Sequence, residues 1–220
     1  MRKILTPLFV FFILFKFQLH AQVQVSREFH HKNIFENEYV RVLDVRIQPG
    51  DTTLFHIHST PSLFIYFTNT AICTQIKGKE WTKGKNAKGN ASYRSFINDT
   101  LVHRVSNCDS LAFHVNDIEL LKAFKPGDSI QPMPFNLLFN NEKAIAYRLN
   151  YSSLRKQVVH DRGPILALLV EGKELKYFDA KTNKSTSLTR ENFMYIEPGS
   201  AFYFTTVSDE DIILVLFEIK

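Results

Sequence analysis

The sequence has little of what marks several familiar classes. It holds two cysteines, Cys73 and Cys108, too few for a disulfide framework of several bridges. Eight glycines and eight prolines in 220 residues exclude collagen-like and low-complexity segments. No Gly-rich phosphate loop, Gly-x-Ser-x-Gly elbow, Cys-x-x-Cys pair or paired-carboxylate motif occurs. Beyond the first twenty residues no apolar run approaches the ~18 residues that a membrane-spanning helix needs. A long amphipathic helix is missing too, which turns the reading toward strands.

What is present is ordinary for a globular chain: 45% hydrophobic and 22% charged residues, with 20 Phe and 8 Tyr. Residues 1–21 stand apart. Arg2 and Lys3 precede an apolar run from Ile4 to Phe17, and Leu19-His20-Ala21 offers a small residue before Gln22. That layout predicts a cleavable signal peptide and a secreted or periplasmic mature chain with no transmembrane segment after cleavage. No cysteine at the cut suggests a lipid anchor. Cleavage removes three cations and no acid, so the formal charge falls from +5 to +2. A nucleic-acid partner is therefore not expected. Lys77, Lys79, Lys83, Lys85 and Lys88 form a local basic run with Gly78, Gly84 and Gly89, which reads as a solvated loop around Trp81. In an exported chain Cys73 and Cys108 have two readings, a disulfide between neighbouring strands or two buried thiols.

Short β-like runs alternate with turns from Tyr39 onward. Tyr39–Ile47 alternates apolar and charged residues, and Gln48-Pro49-Gly50-Asp51 is a turn. Thr53–His58, Leu63–Thr68, Ile72–Ile76, Tyr93–Ile97, Val102–Val105 and Leu111–Val115 follow. Lys122–Asn141 breaks the rhythm with Pro126, Pro132 and Pro134 and reads as a linker, although Phe135, Leu137, Leu138 and Phe139 suggest that part of it packs on a barrel. Strand rhythm then resumes to the C-terminus. LFHIHSTPSLFIYF in the first half has a counterpart in QVVHDRGPILALLV, and both halves close on strand, turn, strand, polar turn and apolar strand. The expected layout is a signal peptide (1–21), an N-terminal arm (22–33), a first barrel (34–121), a Pro-rich linker (122–141) and a degenerate second barrel (142–220). Many short strands at this spacing predict an all-β chain of sandwich or barrel type.

The candidate chemistry lies in the first half. His56 and His58 stand two apart on a strand-like run, so their side chains share a face, which in a small barrel is the interior. His103, on a later run, is placed to reach the same point, and His114 is a further candidate. Three imidazoles suit a divalent transition metal (Zn, Fe, Mn, Ni or Cu) and leave positions open for water or a ligand. Phe64 and Tyr66 share a face and are read as lining. With His114 they are the candidate contacts for a small-molecule ligand. His30 and His31, in the arm, read as a solvent-exposed pair. In the second half only His160 stands near a matching place, and Phe202 and Tyr203 occupy the position of a third ligand. That half is expected to bury one face of the first barrel.

Gly50-x5-His56-x-His58 and His103-x3-Asn107 resemble the two motifs of the cupins. FENEYVRVLDVRIQPGDTTLFHIH and VHRVSNCDSLAFHVNDIEL extend the resemblance over Ile34–Leu121. It implies two cupin-type jelly-roll β-barrels in tandem, a bicupin, with His56, His58 and His103 as metal ligands and a possible homodimer as the assembly. Two departures stand out. Ser62 and Leu63 occupy the positions where many cupins carry a Glu, and Asn98-Asp99-Thr100-Leu101 replaces the usual Pro-x-Gly. Three functional expectations follow: a mononuclear metal and small-molecule site in the first barrel, a metal-free module of the cell envelope, or a partner-binding subunit using Lys77–Lys88.

Overall fold

The computed structural model describes residues 22–124, 130–150, 154, 157–206 and 211–220; the expected signal peptide lies outside them. The first half contributes β1 (Val23–Gln24), β2 (His31–Glu36), β3 (Val40–Ile47), β4 (His56–His58), β5 (Ser62–Tyr66), β6 (Ala71–Ile76), β7 (Trp81–Lys85), β8 (Ala91–Arg94), β9 (Leu101–Asn107) and β10 (Phe113–Leu120). They form two five-stranded sheets, ordered β1-β4-β9-β6-β7 and β2-β3-β10-β5-β8. Two segments depart from the sequence reading. The stretch read as an arm supplies β1 and the start of β2, and the basic loop contains β7, which pairs with β6 as a hairpin. Polar residues with Gly84 gave β7 no apolar alternation, because it is an exposed edge strand. Lys88, counted in the basic run, is paired with Glu171 of the second half.

The second half supplies β11 (Asn136–Asn140), β12 (Ala144–Leu149), β13 (Ile165–Glu171), β14 (Glu174–Asp179), β15 (Ser185–Thr189), β16 (Phe193–Ile196), β17 (Phe202–Thr206) and β18 (Ile213–Ile219). These make a five-stranded sheet, β11-β12-β18-β13-β16, facing a three-stranded one, β15-β14-β17. The segment read as a linker thus provides β11, which pairs with β12.

Period-two alternation divides the core into three. On β3, β5 and β10 one face carries Val45, Ile47, Tyr66, Phe113 and Val115 into the first barrel. The other face carries Val40, Val42, Leu63, Ile65, Phe67, Ile118 and Leu120 against Leu166, Leu168, Val215, Phe217 and Ile219 of the second half. The alternate residues of β13 and β18, with Tyr147, Phe202 and Phe204, fill the second barrel. Glu218 is fully buried there and paired with Arg162. The five-stranded sheet of the second half is therefore apolar on both faces, which is why Ile165–Val170 reads as one continuous apolar run. Cys73 and Cys108 are joined by a disulfide, with Cα atoms 5.9 Å apart, resolving the two readings of these residues.

A polar network crosses between the halves. His114 stacks on Phe67, its Nε2 lies 2.7 Å from Asp44 Oδ1 and its Nδ1 3.1 Å from Glu191 Oε2. Burial works against the charge on Asp44, but hydrogen bonds from His114 and Arg46 outweigh it and hold this carboxyl below its ordinary range. A depressed folded-state pKa gives stability that is present above the unfolded value, near ~4, and lost as pH falls through the folded one. Urea midpoints of wild type and Asp44→Asn should therefore differ at pH 7 and converge below about pH 3. A constant gap across that range would show that Asp44 contributes by shape and not by charge.

Candidate metal centre in the amino-terminal barrel

The turn after β3 and the end of β9 are locked together by the two motifs. Gly50 has φ +83°, a left-handed conformation that glycine adopts without a Cβ penalty. Its N–H donates to the Asn107 carbonyl at 3.0 Å, and the Asn107 N–H donates to Asp51 at 3.0 Å. The Asn107 side chain donates to the carbonyls of Ile47 and Leu111, both at 2.8 Å. Asn107 is thus a strut that fixes β9 against β3 and the turn into β10. It does not reach the cavity lining.

β9 runs antiparallel to β4 with His103 directly opposite His56. The ring centroids of His56 and His58 are 5.1 Å apart, those of His56 and His103 4.6 Å, and those of His58 and His103 4.9 Å. A fourth ring joins them from the opposite sheet. His31, at the start of β2, has its centroid 4.7 Å from His56 and 6.4 Å from His58. One ligating atom from each of His31, His56 and His58 fits within a mutual 4.8 Å. The expectation that His31 lies exposed in an arm is therefore corrected: it is buried, 8% accessible. Among the described residues this is the one grouping with metal-site spacing.

The cause is Glu28. Its carboxylate is buried and accepts from His31 Nδ1 at 2.7 Å, the His30 N–H at 2.9 Å, His30 Nδ1 at 3.1 Å and the Leu54 N–H at 3.1 Å. Burial opposes its charge, but hydrogen bonds from His31, His30 and Leu54 prevail and hold the carboxyl down at about 2. This bond places the proton of His31 on Nδ1, leaving the Nε2 lone pair free. His56 is set the same way, its Nδ1 donating 2.8 Å to the Leu54 carbonyl. Leu54 thus links Glu28 to His56 through its N–H and C=O.

The donor set fits a cation. His56 Nε2 and both ring nitrogens of His103 are buried and make no hydrogen bond to any described residue. Burial, reinforced by His31, pushes His56 down to about 4. Burial, with His56 and His31, pushes His103 down to about 3, and His58 is lowered further by burial and the neighbouring rings. Neutral imidazoles are the ligating form. Asp117, on β10, has Oδ2 3.4 Å from His58 Nδ1, without hydrogen-bond geometry, and neither oxygen is otherwise satisfied within the described residues. Burial, then the Glu119 charge, pushes its carboxyl up to about 8.

A cavity of about 380 Å³ opens beside the four rings. Phe64 and Tyr66 line it, and Phe96, held at φ +57°, stacks on His58 with centroids 5.0 Å apart. His114 does not line it. On β10 Phe113, Val115 and Asp117 face inward, so His114 points to the second half, and the expected ligand contact by this residue is withdrawn. In the second barrel His160 is exposed and bonded to Asp161 at 2.6 Å. Phe202 is packed in the core with Phe204, and Tyr203 stacks on Phe178.

Two barrels of antiparallel strands in tandem, one with an inward histidine cluster, define the class. No protein-family model matches the chain, and no curated protein matches it in sequence. Solved structures do match. AerE from Microcystis aeruginosa superposes with a TM-score of 0.60 at 13% identity, over 86% of this chain and 97% of that one. A cupin 2 conserved barrel domain protein from Leptotrichia buccalis superposes at 0.53 and 10% identity, over 86% and 88%. An oxalate decarboxylase from Bacillus subtilis, whose structure is described in terms of its Mn(II) centers, superposes at 0.51 and 10% identity, over 83% and 69%. The fold of this chain is the cupin fold, in its tandem form.

Proposed function

We propose that the amino-terminal barrel holds one divalent transition metal on His56, His58, His103 and His31, beside a cavity that takes a small molecule. The observation that carries this is the convergence of four rings, two with their Nδ1 protons committed to Glu28 and Leu54, around buried nitrogens that have no partner among the described residues. His31 makes the set richer in nitrogen than three imidazoles and stands in for the carboxylate that Ser62 and Leu63 do not supply. Imidazole ligation suits Zn, Fe, Mn, Ni and Cu. Mn(II) centers on a related fold make manganese a metal to include in the test. Such an ion supplies Lewis acidity toward an oxygen donor when bound. The chain's own contribution is to fix the ring tautomers, keep the imidazoles neutral and present an apolar wall beside them.

The disulfide is in keeping with export into an oxidising compartment, which the N-terminal layout also favours. The second barrel, its interior filled by Tyr147, Phe202 and Phe204, serves as the support for the first.

Protein purified without a histidine tag should carry about one equivalent of a transition metal per chain. His56→Ala with His58→Ala should lose it while keeping the β-rich circular dichroism spectrum. A wild-type protein that stays metal-free after incubation with each of the five metals would favour a metal-free binding or structural module instead.

A further inference from the structure

The cavity is polar at one end only. In the strand register His31 stands beside Val45, Val45 beside Val115, and Val115 beside Tyr66, so this row leads away from the histidines across the sheet. The next row, Ile47 beside Phe113, is apolar as well. On the facing sheet His56 and His103 stand together, while Val105 and Ile72 line the cavity beyond them. Two strand spacings, about 10 Å, separate His31 from Val115. Tyr66 closes the row, and burial, then the Asp117 charge, raises its phenol, so that it remains a neutral wall.

We infer that the ligand of this site is amphipathic: an oxygen-donor head at the histidine cluster and an apolar body of several carbons lying along Val45, Val115, Ile47 and Phe113. This rests on the metal reading above, since the head needs an ion to bind. The volume of about 380 Å³ admits roughly a dozen heavy atoms at about 30 Å³ each. A polar ligand, such as a sugar or a dicarboxylate, would leave its far end unpaired against aliphatic side chains.

The test uses straight-chain monocarboxylates as probes on the full-length protein loaded with Co(II), followed by the visible spectrum of the cobalt. Affinity should rise about fourfold per methylene from acetate to hexanoate. It should level off once the chain exceeds the cavity, beyond roughly a dozen heavy atoms. Val45→Phe, which fills the apolar end, should weaken hexanoate at least tenfold and leave acetate within twofold; its melting curve checks that the barrel persists. A cobalt spectrum that responds equally to acetate and hexanoate, or that prefers malonate to hexanoate, overturns the amphipathic ligand and leaves the metal site standing. Failure to load cobalt at all overturns the metal reading itself, and this inference with it.

Discussion

A chain ending at residue 121 should fail to fold as a soluble monomer. The outer face of β3, β5 and β10 buries Val40, Val42, Leu63, Ile65, Phe67, Ile118 and Leu120, and their partners come from the second half. Exposing a buried aliphatic or aromatic side chain costs about 1.5–3 kcal/mol, so the seven together forfeit roughly 10–20 kcal/mol. Whole domains are stable by only about 5–15 kcal/mol. The loss exceeds what the first barrel can supply, even though its own cavity-facing core and disulfide remain. Circular dichroism and gel filtration of the truncated protein, with the disulfide intact, check this. A monomeric peak with a cooperative thermal transition would mean that the two barrels are independent and merely adjacent.

The same packing explains what the sequence made legible. Period-two alternation in β3 and the turn at Gln48–Asp51 mark a strand pair directly, and His-x-His puts two rings on one face by parity alone. His103 opposite His56 is a register fact, foreshadowed only by the cupin motif spacing. His31 left no comparable trace. Its position depends on Glu28 reaching the Leu54 N–H, a contact between segments 26 residues apart, and nothing local separates it from its exposed-looking neighbour His30. His114 was open to a stricter reading. Phe113 and Val115 are natural lining residues, and parity then sends His114 outward, to Asp44 and Glu191. The uninterrupted apolar stretch Ile165–Val170 likewise carries the signature of a strand covered on both faces, which is how the second half comes to support the first.

Removing Glu28 should damage both the fold and the metal site more than any other single change outside the histidines. Its carboxylate is the shared acceptor of two imidazoles and two backbone N–H groups, all in a buried segment. Glu28→Ala strands those donors, at about 1–3 kcal/mol for each one left unsatisfied. Partial relaxation brings the expected cost to about 3–5 kcal/mol, the range seen when one partner of a buried ionic contact is deleted. For a chain of this size that lowers the melting midpoint by about 10 °C. The functional cost is separate. Without the carboxylate His31 is free to choose either tautomer and to rotate, and loss of such an orienting partner typically weakens metal affinity 10–100-fold. Chelator competition on Glu28→Ala, His31→Ala and the double variant separates the two effects. If Glu28 acts on the metal through His31, the double variant binds no more weakly than His31→Ala alone, while its melting midpoint remains as low as that of Glu28→Ala. Additive losses in metal affinity would place the influence of Glu28 on the Leu54–His56 side of the site and remove His31 from the ligand set.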